Sequence, residues 1–524
     1  MRECDEGALA KSIIIVGGGT AGWISAAYMA RMLSANAETG VKITLIESPD
    51  IGTIGVGEGT FPSIRKTLSR IGLSETELIR DANATLKQGI RFVDWRTTPV
   101  GGRSEHYLHP FQISDQKSGL DLLPYWLAGV AGGGSWADVS TVQASVTYDS
   151  RAPKLITHAD YAAPLNYAYH FDAAQFATVL RKRALEQGVH WLTDTVDDVR
   201  LTNDGAIANL LTRENGELSA DIYIDCTGFR AQLIGKTLKM PFQSLKSQLF
   251  TDRAVAIQVP YKSPDAPIPS YTISTAQEAG WTWDIGLTNR RGVGYVYSSA
   301  HTSDDRAEQV LRRYIGHQAD GLDARVIKFE PGYRDIQWHK NCVAIGLSSG
   351  FIEPLEATGI GFAEIAAVIF CGLFPWTGPV DLGAAQFNAQ MTRRYKSVAD
   401  FIKLHYCVTQ RRDSDFWTEN TQAASISDDL AAKLEQWRYR PPSFLDVDLK
   451  HDIFTEHNWQ YVLYGMGFKT DLGDRIGALK FFDDARTEFA EIQRQSAYAL
   501  KIMPKHRDLI EQVRQQGFAP KNAA

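Results

Sequence analysis

The amino-acid sequence predicts an α/β fold in which a Rossmann-like nucleotide-binding module, split along the chain, is joined to a mainly helical second module. Three observations predict it. The chain opens with the β-branched run Ile13 to Val16, the glycine turn Gly17 to Gly22, the small-residue helix "WISAAYMARML" and a second strand "KITLIE", the order of a βαβ unit. Two later stretches, "IYIDCTGFR" (222–230) and "NCVAIGLSSGFIEPLEATGIGF" (341–362), again run from a buried strand into a glycine turn. Between the first and second pieces, "YHFDAAQFATVLRKRALEQGV" (169–189) has the apolar spacing of a helix. Nucleotide-binding pieces thus recur with long insertions between them, which implies one discontinuous nucleotide-binding module and a second module built from the insertions.

The first unit carries the most information. Gly17, Gly19 and Gly22 form GxGxxG where the strand meets the helix. Bare backbone and the unpaired N–H groups around Thr20 and Ala21 can therefore approach a pyrophosphate at the positive helix end. Glu47 ends the second strand, where a carboxylate accepts hydrogen bonds from a ribose. Gly228, Gly346 and Ile360 are the corresponding candidates in the later pieces.

Composition narrows the function classes. With 524 residues the chain can bury a large core, and a formal net charge of −6 with no long block of one sign favours neither nucleic acid nor an anionic membrane as partner. Five scattered cysteines without Cys-x-x-Cys spacing argue against a disulfide scaffold and a zinc site, and suit a reducing cytoplasm. No metal site is expected. No apolar run reaches the roughly 18 to 20 residues of a membrane helix, so the chain reads as soluble and a small molecule is the expected partner.

The stretch "GFIEPLEATG" (350–359) places Glu353 and Glu356 around a proline, which marks a shaped turn instead of a regular strand or helix. Taken alone, these residues read as an acidic turn in which Thr358 caps the following helix "IGFAEIAAVIFCGLF".

Several separated motifs, in this order, resemble those of the flavin-dependent halogenases of the tryptophan halogenase family, over roughly residues 11 to 470. The glycine turn ends in Trp23, and "GVGEGTFPSIRKTL" (55–68) follows. "NATLKQGIRFVDW" (83–95) carries Lys87 at the position of the family's catalytic lysine. "GWTWDIGL" (280–287) is similar to the family's Trp-x-Trp-x-Ile-Pro, with Gly286 in place of the proline. "EPLEATGI" (353–360) and "DFIKLHYCVTQRRDSDFW" (400–417) complete the set.

The resemblance implies the FAD-binding fold of flavin monooxygenases, with FAD arriving as FADH2 from a separate reductase, and oxygen and chloride or bromide as co-substrates. These would yield hypohalous acid for electrophilic halogenation of an electron-rich arene such as indole. Lys87 would meet the oxidant, as a haloamine or through a hydrogen bond, and Glu356 would orient it and take the proton lost by the ring. Thr358 and Gly359 would hold the halide at the start of a helix. For Glu353, a direct role and an outward pairing with a basic side chain stay open. Of Trp281 and Trp283, one is expected in the core and the other toward a cavity, where bulky rings obstruct substrate access to the flavin and disfavour hydroxylation. His109 and Phe111, in "HYLHPFQ", match positions that sandwich the aromatic substrate, and an ungapped reading puts Phe454 where a stacking tryptophan often lies.

On this reading residues 1–95, 161–235 and 326–375 build the FAD-binding module, the last part also holding the halide. Residues 96–160 are a substrate-module insertion, 236–325 a sheet with the two tryptophans, and 376–524 the helical substrate module. Relatives that act on free tryptophan carry a Tyr-Tyr pair and a glutamate to grip the amino-acid end, whereas "RPPSFLDVDLK" (440–450) has neither. Free L-tryptophan is therefore expected to be a poor substrate. Ala357 replaces a common serine, and Gly346-Leu347 a common Gly-Asp. The competing functions are a flavin-dependent aromatic hydroxylase and a flavin-bound sensor without turnover. A homodimer stays open.

Overall fold

The computed structural model describes residues 10–52, 57–115 and 118–519, so the first two residues of the 55–68 motif lie outside the described residues. The β-branched run Ser12–Val16 sits inside a six-stranded sheet, flanked in parallel by Lys42–Glu47 and Ile222–Asp225. His190–Thr193 and Cys342–Ala344 extend it in parallel on either side, and Trp338–His339 closes one edge antiparallel. Continuous apolar strands suit this position, since a parallel sheet is covered on both faces. Helix Thr20–Met32 packs there against helices Ala173–Glu186 and Thr358–Gly372. Its approach depends on glycine: a Cβ on Gly22 would lie 1.9 Å from the Gly17 carbonyl oxygen, and Gly17 itself has φ +117°.

The stretch 169–189 is not helical throughout. Ala168–Asp172 is a strand, and the helix starts at Ala173 with the Asp172 carboxylate accepting from the N–H groups of Ala174 and Gln175. The strand is claimed by a partner far away in sequence: Ala168–Asp172 is the centre of a three-stranded sheet between Gly57–Gly59 and Thr85–Lys87. A seven-stranded sheet stands beside it, and its edge joins Thr272–Gln277, Gly89–Val93 and His106–Pro110. From Ala384 to residue 519 the described residues form helices and isolated bridges, led by Ala384–Cys407 and Phe482–Ile502. The fold is that of a Rossmann-like α/β protein with a mainly helical second module.

Thr85–Lys87 is an edge strand, so one side of its backbone needs other partners. His506, which opens the helix His506–Gln516, supplies one. Its Nδ1 faces the Ile268 carbonyl oxygen at 3.1 Å and must donate to it, which leaves Nε2 to accept the Leu86 N–H at 3.0 Å. Burial pushes the His506 pKa down to about 4, so the ring stays neutral as this role requires. Because the unfolded chain protonates this histidine near pH 6.5 and the folded one near 4, stability falls as pH drops through that window, by on the order of 3 kcal/mol at its lower end. Urea unfolding between pH 7 and 4 checks this. His506→Gln should flatten the pH dependence while lowering stability at pH 7 by about 1 to 3 kcal/mol for the Leu86 N–H left without its imidazole.

Candidate active site

A cavity of about 400 Å³ begins at the glycine turn and ends at Lys87. Gly17, Gly19, Thr20, Ala21, Glu47, Gly228, Gly346, Gly359 and Ile360 line it, whereas Gly22 packs against Gly17. The outer part fits a dinucleotide. A Cβ built on Gly19 meets no atom within 4 Å, which leaves the helix start bare for a pyrophosphate. At the end of its strand Glu47 keeps a buried Oε2 without a hydrogen-bond partner, 3.9 Å from Arg181, and burial raises its pKa. An orphaned carboxylate oxygen of this kind suits a ribose hydroxyl.

Trp281 and Trp283 both line the cavity, so neither is set aside in a separate core: residues two apart on the strand Gly280–Gly286 point the same way, and their rings stand 6.4 Å apart. Glu353 does not turn outward to a basic side chain. It is fully buried and accepts from Trp281 Nε1 (3.0 Å), Tyr406 Oη (2.5 Å) and the Thr251 hydroxyl. It therefore holds the first tryptophan in place and anchors the start of the turn Pro354–Glu356.

Lys87 ends its strand fully buried, and its Nζ has no hydrogen-bond partner. The Phe111 ring centroid lies 5.2 Å away. Burial lowers the pKa of the amine to about 8, against the opposing pull of the Glu356 charge. Gly59 lets the segments meet: a Cβ there would lie 3.3 Å from Lys87 Nζ and 3.5 Å from Ala357 Cβ.

Thr358 is the first residue of the helix and not its cap. Ala357 takes the cap position in left-handed conformation (φ 58°, ψ 37°), without a side-chain bond. The Thr358 hydroxyl is thereby left buried and unpartnered, next to the backbone N–H groups of the first turn and the open side of Gly359. A fixed donor set at a positive helix end suits a monovalent anion.

Glu356, also buried, is held by two imidazoles. His109 Nδ1 lies 2.9 and 3.0 Å from its two oxygens, and His405 Nε2 lies 3.0 Å from Oε1. Burial alone would raise the carboxyl pKa, but the electrostatic attraction and hydrogen bonds of the His109 and then the His405 imidazole hold it down at about 2. His109 thus has both nitrogens engaged, the second with Asn458 Nδ2 at 2.8 Å. Its ring lies 6.4 Å from Phe454, which stacks on Phe401 at 4.0 Å. His405, Asn458 and His506 were not singled out from the sequence. His405 lies within "DFIKLHYCVTQRRDSDFW", and Phe401 to His405 is one turn of a single helix, which was the available signal. Lys87, Ala357 and Gly359 line the cavity, whereas Glu356, Thr358, His109, Phe111 and Phe454 do not; an unpaired amine, with an ionised carboxylate and an anion cradle on the adjoining turn, can direct an electrophile onto an aromatic ring.

Comparison with known proteins agrees. Residues 12–479 match the family described as Tryptophan halogenase. The chain is 34% identical to tryptophan 6-halogenase SttH of Streptomyces toxytricini, covering 94% of this chain and 96% of that protein. It superposes on the tryptophan halogenase of Shewanella frigidimarina with a TM-score of 0.93 at 42% identity, covering 98% and 99% of the two chains. For BrvH, a flavin-dependent halogenase from Brevundimonas sp. BAL3, the TM-score is 0.84 at 32% identity, covering 96% and 99%.

Keeping a protonated amine buried costs stability. Between pH 8 and 10.5 the unfolded chain holds the Lys87 proton and the folded one releases it, so stability rises with pH in that window. Lys87→Met should remove this slope and stabilise the protein at pH 7 by on the order of 2 to 3 kcal/mol, measured by urea unfolding at pH 7 and 10.

Proposed function

This chain belongs to the tryptophan halogenase family, and from that premise we propose that Lys87 and Glu356 direct hypohalous acid onto indole or another electron-rich arene. The enzyme is a flavin-dependent halogenase, not a hydroxylase. One observation supports the reading above the others: the unpartnered Lys87 amine lines the same cavity as the glycine turn.

FAD, when bound and supplied reduced by a separate reductase, would provide with oxygen the oxidising power for making hypohalous acid from chloride or bromide. Gly17, Gly19, Thr20, Ala21, Glu47, Gly228, Gly346 and Ile360 hold this cofactor, and Gly22 lets the helix close on the turn. Thr358 and Gly359 hold the halide with a hydroxyl and first-turn N–H groups. Trp281 and Trp283 narrow the passage, so that the oxidant and not the arene crosses it. Lys87 receives the oxidant at the inner end, and Glu356 takes the ring proton. His109, Phe111 and Phe454 form the aromatic surroundings of the substrate.

The stretch 440–450 supports a substrate without an amino-acid end. Its carboxylates are already engaged: Asp446 by Arg440 (2.7 Å) and the Ser443 N–H (2.8 Å), and Asp448 by Arg393 (2.8 Å) and His451 (2.9 Å). Phe444, Leu445 and Leu449 face solvent. Beyond the stretch, Asp452 accepts from the Asp448 N–H (2.8 Å), and Glu456, 3.7 Å from His457, keeps a buried Oε2 without a hydrogen-bond partner. An ammonium group placed against 440–450 lacks a free acidic partner within that stretch.

Mass spectrometry after incubation with reduced flavin, oxygen, bromide and indole should show the bromine isotope doublet, and a gain of one oxygen instead would favour hydroxylation. Lys87→Ala should abolish that product with flavin oxidation intact. Glu356→Gln should slow product formation by about 100-fold or more without weakening flavin binding. L-Tryptophan should turn over more slowly than indole, and the reverse order would exclude the reading of the 440–450 stretch.

A further inference from the structure

Resting on the proposed role of Glu356, the hydrogen-bond geometry around this carboxylate fixes where protons sit. Asn458 Oδ1 accepts from the Thr455 N–H (2.8 Å) and the Thr455 hydroxyl (3.1 Å), so its Nδ2 is the atom facing His109 Nε2. An amide N–H can only donate, so this imidazole nitrogen is bare, and the proton of a neutral His109 is on Nδ1, donated to Glu356. His405 is different. Its Nδ1 faces the Phe401 carbonyl oxygen at 3.0 Å and must carry a proton, while its Nε2 faces Glu356 Oε1 at 3.0 Å. With a neutral ring and an ionised carboxylate, two lone pairs would oppose each other there. The contact requires one more proton.

We propose that His405 is an imidazolium in the resting enzyme and stores, behind Glu356, the proton that the halogenation step uses and returns. His405 is a positioning residue here, since it acts only through Glu356. The balance closes. As the arene π electrons bond to the halogen of hypohalous acid, the halogen–oxygen bond breaks, and the departing oxygen takes the stored proton through Glu356 and leaves as water. His405 is then neutral, and its bare Nε2 opposes the Glu356 carboxylate, which makes the carboxylate a strong base. Loss of the ring proton to Glu356, and from it to His405, restores aromaticity and the resting pair, with no net proton exchanged with solvent.

The other titratable groups facing the pair are few. Lys87 acts on Glu356 from its strand, as do His109 and Tyr107 from theirs, and the Tyr107 hydroxyl is buried, unpartnered and held neutral by burial. Around the His405 ring stand Phe92, Trp95 and Phe401. Lys403, on the same helix, bonds to Asn420.

Nitrogen-15 NMR of histidine-labelled protein, with neither flavin nor halide added, reads this directly among the 12 histidines. The expected spectrum at pH 7 contains a histidine protonated on both nitrogens that disappears in His405→Asn, and in Glu356→Gln reverts to a singly protonated ring. A His405 signal with one bare nitrogen at pH 7 would overturn the proposal. If His405→Asn does not fold, the reversion in Glu356→Gln provides the assignment, and its absence overturns the proposal equally. In turnover, His405→Asn should lower brominated product per flavin oxidised by at least tenfold, and an unchanged yield contradicts the proton's use. A protein that shows the doubly protonated His405 yet forms no halogenated product contradicts the functional reading and leaves the proton assignment standing.

Discussion

A lysine amine buried without a hydrogen-bond partner is an unfavourable arrangement, and much of this structure serves to hold one in place. Lys87 ends an edge strand whose outward backbone is closed by His506, from nearly the other end of the chain. Gly59 has no side chain, so the amine can lie against the turn that carries Ala357. Desolvation brings the amine's pKa to about 8, which leaves an appreciable neutral fraction near neutrality and a nitrogen with nothing else to bind. On the proposed reading, an oxidant arriving along the cavity would meet an amine that no protein group has satisfied.

The turn beyond the cavity completes the constraint. Glu353 fixes the first tryptophan of the passage and the start of the turn, and the left-handed Ala357 redirects the chain into the helix so that the Thr358 hydroxyl is left unbound. On the proposed reading, the residues for the halide and for the ring proton are neighbours in one segment, 353 to 359, and the amine that meets the oxidant comes from a strand outside it. The Glu356 carboxylate is kept ionised in a buried site because imidazoles from two other elements bond to it. Its charge is balanced locally, so the amine and the carboxylate can share the site without collapsing into a direct ion pair.

Much of this was legible in the sequence. The βαβ start, the strand and glycine turn at 222–230 and the turn around Pro354 rest on local pattern, and local pattern survives folding. What could not be read depends on distant partners. Residues 169–172 have helical spacing but pair as a strand, because Gly57–Gly59 and Thr85–Lys87 need a middle strand. Thr358 had the right chemistry for a cap, and the left-handed Ala357 took the position instead. The two tryptophans were split between core and cavity, although a two-residue repeat along a strand puts both on one face. His405, Asn458 and His506 are ordinary residues in sequence, and acquire meaning only when they meet Glu356, His109 and the Leu86 N–H.

The central claim is that the oxidant stays enclosed from the nucleotide cleft to Lys87. Its most direct test is competition: turnover with bromide and indole in the presence of excess methionine, a thioether that consumes free hypobromous acid in bulk water. An enclosed passage predicts an undiminished yield of bromoindole and no enzyme-dependent methionine sulfoxide. A yield that falls in proportion to added methionine, with matching sulfoxide, would show that the oxidant escapes to solvent and that the passage does not carry it.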